Sequence, residues 1–192
     1  MISDLDIVES SRGALKGVTG GLDQSSPWTW AIAHSTGHRL AKVVARIANR
    51  SLRGHYSKGC GEVFASCRLI ALYKDKKRIK VRPIGVGGAL RRLITKAVTR
   101  AVRSHVDALL ADSNQLGVLK DGVGCGIHAA RVLAEQCKAS GEVMFLNDYR
   151  NAFNTGSHLM FKLCEAHTQI KNLVNWLYTK RPHLVTSEGD VL

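Results

Sequence analysis

Apolar residues first recur at helical spacing after Trp28, with Leu40, Val43, Val44 and Ile47 on one face and Arg39, Lys42, Arg46 and Arg50 largely off it. This pattern predicts an amphipathic helix, and Gly54 is placed to end it. The period then shortens. CRLIALY (67–73) and IKVRPIGV (79–86) have the composition of short strands, and the charged turn KDKKR between them predicts a basic hairpin. After Gly87 and Gly88, the run LRRLITKAVTRAVRSHVDALL repeats Leu90, Ile94, Val98, Val102, Val106 and Leu109 at helical intervals, which predicts a long helix. The loop SNQLGVLKDGVGCG leads to a helix over about 127–137, and EVMFLN (142–147) reads as a short apolar strand that delivers Asp148 at its end. Two helical segments, HLMFKLCEAH and IKNLVNWLYTK, come next, and RPHLVTSEGDVL begins another strand. Residues 1–27, rich in Gly, Ser and acid, show no lasting period and read as a flexible leader. No internal repeat is visible.

Charge sharpens this picture because it is unevenly spread. The chain carries a net charge of +13, yet residues 39–105 hold 18 Lys and Arg against only Glu62 and Asp75, a local excess of +16. A field concentrated in one third of a chain suits a polyanion, of which nucleic acid is the commonest; a solvated basic surface is the competing explanation. No apolar run approaches the roughly 18 residues of a membrane span, and the acidic N-terminus resembles no secretory or transit signal, so the expected compartment is nucleus or cytoplasm. Five widely spaced cysteines with no C-x-x-C pair are expected to be reduced and mostly buried.

The segment with the most chemical content is FLNDYRNAFN (145–154). A strand ending in an aspartate with a compact turn after it can hold a carboxylate for a metal, although the same arrangement is also a common turn or helix cap. This segment resembles the first palm motif of reverse transcriptases, in the form found in non-LTR retrotransposons. Upstream, RLIALYKD and VRPIGVGGALRRLITK resemble the fingers motifs, NQLGV the loop between fingers and palm, and SSPWTW and IANRSLRGHY the lead-in helices. The resemblance runs in a fixed order from about Ser25 to Leu192. It implies an α+β fold: a helix-rich fingers region with a short basic hairpin over 28–140, preceded by the leader 1–27 and followed by a partial palm over 141–192.

The resemblance also implies a chemistry, two-metal nucleotidyl transfer with Mg²⁺. Asp148 matches the first catalytic, metal-binding aspartate, and Phe153 the bulky residue under the incoming sugar; Phe153 is otherwise a core aromatic. Lys74 and Arg82 are the candidates for nucleotide phosphate contacts, with Lys80 as a diffuse nucleic-acid contact or a solvated turn residue. Arg91 and Arg92 open a helix whose amides favour anions, so they are candidates for template phosphate, or else ordinary surface residues.

The chain departs from the family in ways that matter. It contains neither an aromatic-x-Asp-Asp motif nor a Gln-Gly-x-Pro motif, Asn147 stands where an apolar residue is usual, and His158 stands where arginine is frequent. The expectation is a truncated or degenerate reverse transcriptase domain, inactive alone, whose partners are RNA or DNA and the missing palm and thumb. The alternative is a non-catalytic basic RNA- or DNA-binding remnant, or a component of a ribonucleoprotein.

Overall fold

The computed structural model describes residues 1–14, 20–27, 29–31, 38–74, 77, 80–110, 116, 120–147, 168–178 and 182–192. They form a mixed α+β fold. In chain order the elements are α1 (Asp4–Ser11), α2 (His38–Leu52), α3 (Lys58–Ala65), β1 (Cys67–Tyr73), β2 (Val81–Gly87), α4 (Ala89–Leu110), α5 (Gly122–Ser140), α6 (Thr168–Tyr178) and β3 (Leu184–Val185). Two compact units divide them: Met1–Ala101 with Ser157–Leu192, and Val102–Gly156.

In the first unit, part of the expected leader, Asp4–Ser11, is helical. Ser3 and Asp6 form a reciprocal capping box: the Asp6 amide donates to the Ser3 hydroxyl, and the Ser3 amide donates to the Asp6 carboxylate at 2.7 Å. The helix so started is short but buries Ile7 completely. Asn49 of α2 holds the preceding residue from both sides, accepting from the Ile2 amide at 2.9 Å and donating to the Ile2 carbonyl at 2.7 Å. These anchors are single polar side chains and one isoleucine, which no periodicity would show.

Helix α2 also packs differently from the expected face. Its buried positions are Ala41, Val44, Ala45, Ala48 and Leu52, while Val43 is 49% exposed and Leu40 and Ile47 lie only partly buried. The core face is thus rotated by about a quarter turn from the stripe of larger apolar residues. Alanines let neighbouring helices approach closely, so packing selected the small ridge. The helix ends as expected at Gly54, whose φ of 75° supports a Schellman cap: the Gly54 amide donates to the Ser51 carbonyl at 3.0 Å and the His55 amide to the Arg50 carbonyl at 2.9 Å.

The C-terminal part of the chain closes this unit. Leu173, Trp176 and Leu177 of α6 enter the same core as Ile7, the alanine ridge of α2, and Leu93, Ile94, Ala97 and Val98 of α4. The Trp176 ring stacks on Phe64 with centroids 4.5 Å apart and lies 5.5 Å from Tyr56. Asn172 donates to the Leu52 carbonyl at 2.9 Å and so supplies one more partner for the end of α2. Helix α3, not foreseen from its KGCGEVFA sequence, is capped by Ser57 and pressed on α6 at Gly61, where a Cβ would lie 2.9 Å from the Trp176 carbonyl oxygen.

The sheet has the order β2-β1-β3. The expected basic hairpin is present as an antiparallel pair in the register Cys67↔Gly87 to Tyr73↔Val81. The strand expected within 181–192 is β3, which pairs parallel to β1 and turns back on itself, with Val185 opposite Val191. The strand expected at 142–147 does not form: these residues lie outside any sheet, with Phe145 and Leu146 exposed. An apolar run becomes a strand only where it pairs with another segment, and no described segment pairs with this one.

In the second unit, α5 begins at Gly122, five residues earlier than expected, because the GVGCG segment is helical. The glycines are used for close approach: a Cβ on Gly122 would lie within 1.7 Å of the Leu116 carbonyl oxygen. The described cysteines are free, but Cys60 and Cys125 are exposed and Cys67 and Cys137 half-buried, which corrects the expectation of buried thiols; Cys164 lies outside the described residues.

Two outcomes test this packing. Gly59 and Gly61 share α3, but a Cβ at Gly59 meets nothing within 4 Å. Gly59→Ala is expected to stabilise by about 0.5–1 kcal/mol through helix propensity, whereas Gly61→Ala should cost about 1–3 kcal/mol through overpacking against α6. Equal and favourable effects in urea denaturation would show that α6 does not sit on α3. The second outcome concerns acid. The Ser3 amide, and after it the Ser3 hydroxyl, hold the Asp6 carboxyl below its ordinary value of 3.8. A depressed carboxylate contributes its stability in full above the unfolded value, and the contribution is lost as pH falls through the lower folded value. Asp6→Asn should therefore lower stability at neutral pH and converge with the parent below pH 3.8; parallel curves would rule out the capping box.

Candidate nucleic-acid interface

The basic hairpin supplies the first candidate surface. Side chains alternate across a strand, so the register sorts them into two faces. One carries Cys67, Leu69, Ala71 and Tyr73 opposite Gly87, Gly85, Pro83 and Val81. The other carries Arg68, Ile70 and Leu72 opposite Val86, Ile84 and Arg82. The Lys74 amide donates to the Lys80 carbonyl at 2.7 Å, which extends the pairing by one step and puts both lysines on the Arg82 face. Three of the sequence candidates, Lys74, Lys80 and Arg82, are therefore brought together by register alone. Arg68 joins them at the inner end, and its parity with residues 70, 72 and 74 is the sequence signal that marks it.

This face is open. From Ala71 to Lys74 and from Lys80 to Gly85 every described residue is exposed, so the outer half of the hairpin projects as a two-stranded ribbon. Arg82 and Lys74 make no side-chain hydrogen bond or ion pair among the described residues. Arginine offers paired donors for a phosphate and lysine a mobile point charge, and Ile70, Leu72 and Ile84 between them add apolar contact suited to sugars and base faces.

The start of α4 has a different character. Arg91 and Arg92 were expected to make this helix end an anion site, and an anion is indeed there, but it is the chain's own. The Ala89 amide donates to the Asp23 carboxylate at 3.1 Å, and the Ser25 hydroxyl donates to the same oxygen at 2.6 Å. Gly21 packs so closely that a Cβ on it would fall 2.5 Å from the Gly88 amide nitrogen. Residues 21–25 thus form a fitted cap for α4, and Asp23 complements the positive end of the helix. The Arg91 guanidinium donates to the Ala65 carbonyl at 2.6 Å and contacts the Cys67 sulfur at 3.2 Å, tying α4 to the junction between α3 and β1. Arg92 is half-buried. Beside this junction lies an apolar cavity of about 610 Å³ lined by Leu22, Phe64, Leu90 and Val185 among others.

Asp148 and Phe153, the candidates for metal and sugar contact, lie outside the described residues. Among the described residues no three His, Cys, Asp or Glu side chains converge as a metal would require. No described helix is long and apolar enough to cross a membrane.

No protein-family model matches the chain, and neither a curated protein nor a solved structure matches it.

Proposed function

We propose that the chain is a nucleic-acid-binding fingers region, with the leading part of a palm, of the reverse transcriptase type. The observation that supports it is the order of the motifs. RLIALYKD, VRPIGVGGALRRLITK, NQLGV and FLNDYRNAFN follow one another as in that family, and several ordered motifs are more specific than any one. The first two segments contribute β1, β2 and the start of α4, and they carry the open basic face of the ribbon. In the intact family such a domain directs DNA synthesis on an RNA template with Mg²⁺, and Asp148 is the residue that would take part in holding the metal.

A second reading is a binding protein without catalysis. It is favoured by residues 142–147, which lie outside any sheet where the catalytic reading expects a strand. Both readings place the same demand on the ribbon.

Binding should be salt-sensitive and weakly selective for sequence, because the ribbon offers phosphate contacts and apolar side chains without a set of base-reading amides. By fluorescence anisotropy with a labelled oligonucleotide, Arg82→Ala is expected to weaken binding while leaving the melting temperature unchanged. Arg91→Ala is expected to lower the melting temperature, since it abandons the Ala65 carbonyl. Binding indifferent to salt, or unaltered by Arg82→Ala, would sink the ribbon as the contact surface. For catalysis, these 192 residues contain no Asp-Asp pair to stand with Asp148, so primer extension by them alone is expected to be absent with Mg²⁺ or Mn²⁺. Template-dependent extension that Asp148→Ala abolishes would decide for a competent polymerase.

A further inference from the structure

Helix α2 carries a second concentration of charge that has nothing to do with the ribbon. Arg39, Lys42, Arg46 and Arg50 are all exposed, and at 3.6 residues per turn they fall within an arc of about 80°. At 1.5 Å per residue they span about 16 Å along the axis, with a cation roughly every 5–6 Å. The helix contains no acidic residue, and none of the four makes an ion pair or side-chain hydrogen bond among the described residues. The opposite face is the buried alanine ridge, and the C-terminal end is held by the Schellman cap and by Asn172, so the row of charges stands on a fixed support.

This arrangement works against the helix that carries it. Lys42, Arg46 and Arg50 are spaced i, i+4, where like charges repel, and Arg39 sits in the first turn, where a cation opposes the helix dipole. Only Arg50, in the last turn, has an explanation within the helix. A row that folding disfavours is explained by something outside the chain.

We propose that α2 is a phosphate-backbone track, on which Arg39, Lys42, Arg46 and Arg50 hold one polynucleotide strand along the helix. The spacing suits a polymer with regularly repeated charge, and a guanidinium contacts phosphate with two donors. An anionic membrane fits less well, because a surface helix inserts its apolar face, and that of α2 is already used in the core. A protein partner would need a buried anchor, and within α2 Val43 is the one large apolar side chain that is exposed.

The test is the salt dependence of binding to a labelled single-stranded oligonucleotide by the full chain, its ribbon variant (Lys74, Lys80 and Arg82 to Gln) and its α2 variant (Arg39, Lys42, Arg46 and Arg50 to Gln). Each phosphate contact to a single strand contributes about 0.7 to the slope of log K against log salt, so the α2 variant should lose about 3 from that slope. It should also melt no lower than the parent, since the substitutions relieve repulsion within the helix; this separates lost contact from lost fold. Conservative replacement of the three arginines by lysine should retain the slope. An α2 variant that keeps the parental slope overturns the proposal, whatever the ribbon variant does. A loss confined to the α2 variant supports it and counts against the ribbon. If the α2 variant instead loses binding to phosphatidylserine vesicles while its oligonucleotide slope is unchanged, the partner is a membrane and the proposal fails.

Discussion

The first unit depends on the seating of Trp176. Its ring stacks on Phe64, approaches Tyr56 and covers Gly61 so closely that no side chain fits between. An aromatic of this size buries a large apolar area, and stacking adds roughly 0.5–1.5 kcal/mol beyond that area. Three features follow from it. Helix α6 covers the end of α2, Asn172 reaches the Leu52 carbonyl, and the chain after α6 arrives beside β1 so that His183 and Leu184 extend the sheet. The parallel pairing of β3 is only two residues long and would not persist without the helix before it.

That seating also decides where the charge goes. Helix α2 turns its alanines towards α1 and α6, and by helical geometry this sends Arg39, Lys42, Arg46 and Arg50 outward together. The ribbon is charged for a different reason: register places Lys74, Lys80 and Arg82 on one face because their positions share parity with Arg68. One concentration is a product of core packing and the other of strand pairing, so substitutions that leave the fold intact can separate them. Arg91 belongs to neither. Its hydrogen bond to the Ala65 carbonyl shows that a basic residue in a basic segment can be wholly structural.

What was legible in the sequence divides by the kind of force involved. The hairpin, the long helix after Gly88, α6 and the turn at Gly54 were all marked by local pattern, and local pattern sufficed because each depends on alternation, period or a single φ angle. The N-terminal helix was missed because eight residues with one buried isoleucine have no period, and it is held by Asn49 across a sequence separation of 47. The buried face of α2 is not the one its larger apolar residues mark, because closeness of approach at Ala41, Ala45 and Ala48 outweighs side-chain size. Residues 142–147 look like a strand by composition, yet a strand is a relation between two segments, and composition describes one. Of the candidate site, the ribbon cations were legible and Arg91 and Arg92 were legible only as charge; the carboxylate that occupies their helix end comes from a segment 66 residues earlier.

Asp23 shows how far this last point reaches. A helix N-terminus offers amides and a positive potential, and the same properties that attract a ligand phosphate attract a carboxylate of the chain itself. Which of them is found there depends on loop geometry. Here Gly21 lets its backbone pass Gly87 and Gly88 within a distance that a side chain would forbid, and the Asp23 carboxylate reaches the Ala89 amide beside it. Basic residues beside such an end do not by themselves mark a binding site, since the anion they would attract already has an internal competitor. Lys74 and Arg82 on the ribbon and the four cations of α2 have no such internal partner among the described residues, and so stay open to an external anion.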